Sequence, residues 1–93
     1  MTTTEKTKQM IPMIHLNGTS IGEIERQLNE AVNAVDAAIA ALIGAQPNGR
    51  DYYPMGPDAI HRAMAQHKAR LTRLHDVRNE LAEIWEGLPN HLT

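Results

Sequence analysis

Both tyrosines of this chain fall in one stretch, Ala45-Gln46-Pro47-Asn48-Gly49-Arg50-Asp51-Tyr52-Tyr53-Pro54-Met55. Tyr52 and Tyr53 offer flat faces for stacking and phenol groups for hydrogen bonding. Arg50 carries a planar fork suited to phosphate or carboxylate, and Asn48 has an amide able to read an amide or base edge. A loop that only reversed the chain needs Pro-Asn-Gly and little more. The combination is the equipment of a nucleotide site. The plainer reading is that the tyrosines plug the open end of the fold while Arg50 pairs with Asp51 or a helix end.

A second polar motif, His15-Leu16-Asn17-Gly18-Thr19-Ser20, precedes an apolar periodic stretch. Free amides at a helix start, with Gly18 permitting close approach and Thr19 and Ser20 supplying hydroxyls, suit an anion. Ordinary capping explains Ser20 and Glu23 equally well, with the Ser hydroxyl on the N3 amide and the Glu carboxylate on the cap amide. His67 stands within an apolar stripe, where a core-edge imidazole hydrogen-bonded across the bundle is the plain reading and a ligand contact the sharper one.

Metal binding and catalysis find little support. Of the five histidines, His61 and His75 lie about 21 Å apart along a helix, whereas a chelating pair on one face needs a spacing of three or four residues. There is no nucleophile elbow, Walker-type loop, HExxH or zinc pattern, so no catalytic residue, metal or cofactor is expected. The chain reads as a non-enzyme.

Helices must position these motifs. Ile21, Ile24, Leu28, Ala31, Val35, Ala38 and Leu42 recur in steps of three and four, with Val32 and Ile39 widening the stripe. This predicts a helix over 21–43, opened by Ser20 and closed by a left-handed cap at Gly44. A second helix is predicted over 58–86, entered through Gly56-Pro57-Asp58 and stopped by Gly87 and Pro89. Its stripe runs Ile60, Met64, His67, Leu71, Leu74, Val77, Leu81, Ile84, Trp85 and Leu88. The fold class is therefore all-α, an antiparallel helical hairpin. Residues 1–10 read as a disordered tail, and residues 11–93 as a single domain that begins with an extended apolar arm, Met10-Ile11-Pro12-Met13-Ile14-His15-Leu16.

Both stripes are wider than a two-helix seam requires, and small domains often complete their cores by self-association, so a helical-bundle homo-oligomer is expected. The alternative is a monomeric hairpin closed by the arm. The two polar motifs lie at opposite ends of the first helix, about 35 Å apart. They meet only if hairpins pack antiparallel, which would create paired sites at a two-fold interface. Charge is also uneven. Residues 61–78 carry Arg62, Lys68, Arg70, Arg73 and Arg78 against Asp76, while the first helix carries Glu23, Glu25, Glu30 and Asp36 against Arg26. Such complementarity orients neighbouring helices, and Arg62, Arg70 and Arg73 are an alternative attraction for an anion.

Composition narrows the function classes. The chain has 93 residues, 42% hydrophobic and 3% aromatic, without Cys or Phe. Disulfide scaffolds and thiolate sites are excluded. No apolar run approaches the roughly 20 residues of a membrane span, and the polar N-terminus has no secretory signal, so a cytoplasmic location is expected. A net charge of −2 argues against general nucleic-acid binding.

Read together with Ala59, Ala63, His67, Arg70 and Leu71, the motifs His15–Ser20 and Pro47–Pro54 make residues 11–88 similar to a group of small phage and prophage proteins. The resemblance implies a phage-associated product, acting in the host cytoplasm, and carries no settled activity. In size and helical character the chain also looks like the phage sponge proteins that sequester nucleotide signals of the CBASS and Thoeris defences, an analogy of architecture. The expected function is therefore sequestration of a small anionic, nucleotide-derived ligand, such as a cyclic nucleotide or an ADP-ribose derivative, at oligomer interfaces. Tyr52 and Tyr53 would stack on a base, with Asn48 beside them, and Arg50 would hold phosphate. Asn17, Gly18, Thr19 and Ser20 would cradle a second polar part, with His15 and His67 as further contacts. The rival expectation is a phage structural or adaptor protein, or an inhibitor that binds a host protein.

Overall fold

The computed structural model describes residues 9–89, and within them all regular structure is helical. Two long helices, α1 (Ile21–Gly44) and α2 (Ala59–Gly87), are joined by a loop containing two short 3-10 turns, Gly49–Asp51 and Tyr53–Met55. α1 packs along α2. Arg78 Nε donates to Asp36 Oδ1 at 2.8 Å across the seam, so the opposite charges of the two helices meet in the hairpin. At about 1.5 Å per residue the 24 residues of α1 span about 36 Å and the 29 of α2 about 44 Å. Both helices end one residue later than the sequence pattern predicts, and α2 also starts one residue later. Most of the tail expected to be disordered, residues 1–8, lies outside the described residues, as do residues 90–93.

Local chemistry sets the ends of α1, with two departures from expectation. The Glu23 amide donates to Ser20 Oγ at 3.2 Å, which satisfies one of the free donors of the first turn. The reciprocal half of the capping box does not form. The Glu23 carboxylate instead accepts from Arg26 and, at 3.1 Å, from Gln27 Nε2, because a guanidinium one turn along is a stronger partner than a neutral amide. Arg26 also reaches Glu30 at 2.6 Å. At the other end, Gly44 does not supply a left-handed cap. Ala45, at φ −99°, donates to Leu42 O at 3.0 Å, and Gln46 donates to Ile43 O at 3.3 Å. The helix tightens into three-residue bonds as it stops, so no residue needs positive φ there. Among the described residues, positive φ occurs only at Gly56, at 111°.

α2 starts from a turn in which the Ala59 amide donates to Gly56 O at 3.3 Å, with Pro57 and Asp58 between them. Asp58 holds the N-cap position, yet its carboxylate makes no capping bond. At the far end, a Cβ on Gly87 would sit 2.7 Å from Ile11 Cδ1, so the arm docks there because this residue has no side chain.

The buried core is thin. Among the described residues, Ile39 and Leu88 are the buried hydrophobic ones, joined by His67. Two cylinders touch along a line, so most of each stripe stays half-exposed. Ile43, Met64 and Val77 are 53%, 39% and 43% exposed, and the arm leaves Met10, Met13 and Leu16 at 90%, 81% and 98%. No helix among the described residues is long and apolar enough to cross a membrane.

Candidate functional site

The loop folds through paired short turns. Asn48 Oδ1 accepts from the Arg50 amide at 2.8 Å, and the amides of Asp51 and Tyr52 donate to Asn48 O and Gly49 O at 2.9 and 3.1 Å. Met55 then donates to Tyr52 O at 2.9 Å and Gly56 to Tyr53 O at 3.1 Å. Residues three apart in a 3-10 turn share a side. Tyr52 and Met55 therefore share the side that borders α2, where Tyr52 is half-buried and Met55 still largely exposed, while Tyr53 lies outside it and stands 76% exposed.

On α2, Ala59, Ala63, Gln66 and Arg70 recur at steps of four, three and four and share one face, with Arg62 on its flank. The small side chains of Ala59 and Ala63 leave room beneath the loop. The result is a cavity of about 300 Å³ lined by Pro47, Tyr52, Met55, Ala59, Arg62, Ala63, Gln66 and Arg70. No carboxylate contributes to its wall. The ion pairs of the described residues use Arg26 and Arg78, leaving Arg62 and Arg70 without an acidic partner. They stand two turns apart, about 12 Å along the helix, on either side of Gln66. A half-buried phenol, two free guanidiniums and one amide can stack a flat group, hold an anion and read a polar edge.

The candidate residues read from the sequence are thus divided. Tyr52 lines the cavity. Arg50 and Tyr53 are exposed on the loop outside it, and Asn48 spends its carbonyl oxygen on the Arg50 amide. His67 is buried beside Gln66, 6% exposed, and its Nε2 has no hydrogen-bond partner, so the expected bond across the bundle is absent at that atom. The turn before α1 lies at the other end of that helix. Gly18 donates to His15 O at 3.1 Å, and a Cβ on Gly18 would lie 2.7 Å from His15 Nε2, so the imidazole covers the glycine. Asn17, Thr19 and Ser20 are exposed, with the Ser20 hydroxyl engaged as a cap. The two motifs do not meet within one chain.

Arg62 and Arg70 enter the site as part of the basic stretch rather than of either loop motif. The signal for Gln66 was its helical spacing with Arg62 and Arg70 beside two alanines, a pattern that reads as a solvated face; the three side chains are indeed exposed, and the loop borders that face rather than covering it. Among the described residues, no group of three or more His, Cys, Asp or Glu side chains is placed to hold a metal ion. Comparison with known proteins gives no match to a family model, a curated protein or a solved structure.

Proposed function

We propose that this chain is a non-catalytic binding protein for a small anionic, nucleotide-derived ligand, seated between the loop and α2. One observation carries the reading: a cavity of about 300 Å³ whose charged lining residues, Arg62 and Arg70, are both basic and unpaired, with Tyr52 beside them. Tyr52 stacks on the flat part of the ligand, Gln66 hydrogen-bonds its edge, and the two guanidiniums hold phosphate. This moves the anion contact from Arg50 to α2. Copies of the chain associate through the apolar surface that one hairpin leaves open, including Ile43, Met64 and Val77. In such an assembly the Asn17–Ser20 turn of one copy comes beside the cavity of another if the hairpins pack antiparallel. In a phage-associated setting the role is sequestration of a host signal in the cytoplasm.

The test is a thermal-shift panel of cyclic nucleotides and ADP-ribose derivatives, followed by recovery of the ligand after denaturation. A ligand present at 100 times its Kd stabilises by about 2.7 kcal/mol and is recovered unchanged. Arg70→Ala removes most of that shift. A panel in which no member moves the melting curve refutes the reading, and a chemically converted ligand makes the protein an enzyme. A second reading, docking of a protein partner on the loop, is favoured by Tyr53 and Met55, which are 76% and 72% exposed. It expects binding to survive Arg70→Ala and to fail in Tyr53→Ala.

A further inference from the structure

The cavity beneath the loop has a neighbour. A second hollow of about 350 Å³ is lined by Met55, Gly56, Pro57, Asp58, Ala59 and Arg62, and it shares Met55, Ala59 and Arg62 with the first. Arg62 stands on the boundary. The two compartments differ in charge: the first adds Arg70, the second adds Asp58, the one carboxylate in either lining.

Asp58 has ordinary uses available and takes none of them. It holds the N-cap position of α2 without making the side-chain capping bond. Arg62 lies one turn along, at the spacing of a helical ion pair, and its amide donates to Asp58 O at 3.1 Å, yet the two exposed side chains do not pair, and neither side chain has another partner among the described residues. The second hollow therefore presents an uncommitted carboxylate beside an uncommitted guanidinium. Gly56, at φ 111° and ψ 164°, puts main chain into its wall in a conformation that other residues avoid.

Resting on the reading of the first cavity as an anion site, we infer that the ligand is two-ended: a nucleoside diphosphate whose far end carries a sugar with vicinal hydroxyls, the chemistry of ADP-ribose. The base lies against Tyr52 with its edge at Gln66. The diphosphate sits at Arg62, between the compartments, with Arg70 reaching it from the first. The terminal sugar occupies the second hollow. A carboxylate repels phosphate there, so the group it faces is an uncharged donor, and two adjacent hydroxyls match its two acceptor oxygens. From Asp58 to Arg70 the helix rises about 18 Å, a length suited to an extended two-ended molecule. A mononucleotide leaves the second hollow unused. A cyclic dinucleotide carries its second phosphodiester toward Asp58, where charge opposes it.

Isothermal titration of the full chain with AMP, ADP, ADP-ribose and cyclic di-AMP separates these cases. The expected order places ADP-ribose at least about tenfold tighter than ADP, the worth of a charge-assisted hydrogen bond. Asp58→Asn and Asp58→Ser, both able to occupy an N-cap, cancel that advantage by weakening ADP-ribose, while ADP, whose terminal phosphate the carboxylate opposes, binds no more weakly than to the wild-type chain. Equal affinity for ADP and ADP-ribose in the wild-type chain overturns the two-ended ligand while the anion site stands, and so does tighter binding of cyclic di-AMP. An equal loss for both ligands in the Asp58 variants overturns it as well. If none of the four binds, the anion reading itself falls.

Discussion

His67 offers the sharpest test of how this hairpin is held together. The ring is 6% exposed and its Nε2 meets no hydrogen-bond partner. In either tautomer that nitrogen is a donor or an acceptor, and leaving such a group buried and unmet costs about 1–3 kcal/mol. Leucine has a similar volume and no polar atom, so His67→Leu removes the cost and adds apolar contact. The expected gain is about 1–2 kcal/mol. For a chain of this size each kcal/mol moves Tm by about 4–8 °C, so the variant melts roughly 4–16 °C higher. His67→Ala is the control. It removes the same polar atom but opens space in the seam, and it lowers stability by about 1–3 kcal/mol. Both are compared with wild type by circular dichroism at matched protein concentration, because self-association makes Tm depend on concentration. A His67→Leu chain that melts several degrees below wild type refutes the reasoning, since the ring must then have a polar partner in solution. A chain that is stabilised but binds ligand less tightly shows the histidine retained for function at a cost in stability.

Three further outcomes are expected. Leu88 is fully buried just beyond α2, so Leu88→Ala lowers the unfolding free energy by about 2–5 kcal/mol in urea titration, a large share of what a thin core supplies. Gly56→Ala forces a side chain onto φ 111° and costs about 1–3 kcal/mol although the space around it is open; the variant shows faster amide exchange across the start of α2, whereas Gly49→Ala, at negative φ and equally open, does not. Arg26 holds the Glu23 carboxyl below its ordinary value, chiefly through hydrogen bonding, so Glu23 binds its proton less readily folded than unfolded. Its contribution is therefore complete above the unfolded value near 4.5 and lost as pH falls through the lower folded one. Acid titrations of Glu23→Gln show a flatter dependence in that window, a small effect at an exposed site; an unchanged slope counts against the Arg26 contact.

How far the chain could be read in advance differs between its helices and its loop. Ser20 before Glu23 marked the start of α1, and the three-and-four recurrence from Ile21 to Leu42 marked its length. These signals are local, and the helix follows them. Gly44 misled because a glycine at a helix end permits a left-handed cap without requiring one, and a tightened last turn met the same need. Glu23 misled because a carboxylate in a capping box has other suitors, and Arg26 was within reach. The adjacency of Tyr52 and Tyr53 did not show where each ring goes. Adjacent in sequence, they are separated by the 3-10 turns, which point one at α2 and the other at solvent.

The sequence alone determined the elements: an apolar period of 3.6, a serine cap, prolines that bar helix and an apolar excess too wide for one seam are properties of neighbouring residues and need no knowledge of the fold. Only the tertiary structure decided which polar groups meet. Arg62, Gln66 and Arg70 stay an exposed helical face that the loop borders, and whether Arg50 or Arg70 lines a cavity with Tyr52 depends on the direction in which two short turns carry the chain. Periodicity determines what a helix buries against its partner. It carries no information about what a loop brings over the helix's flank, because that is set by contacts between residues distant in sequence.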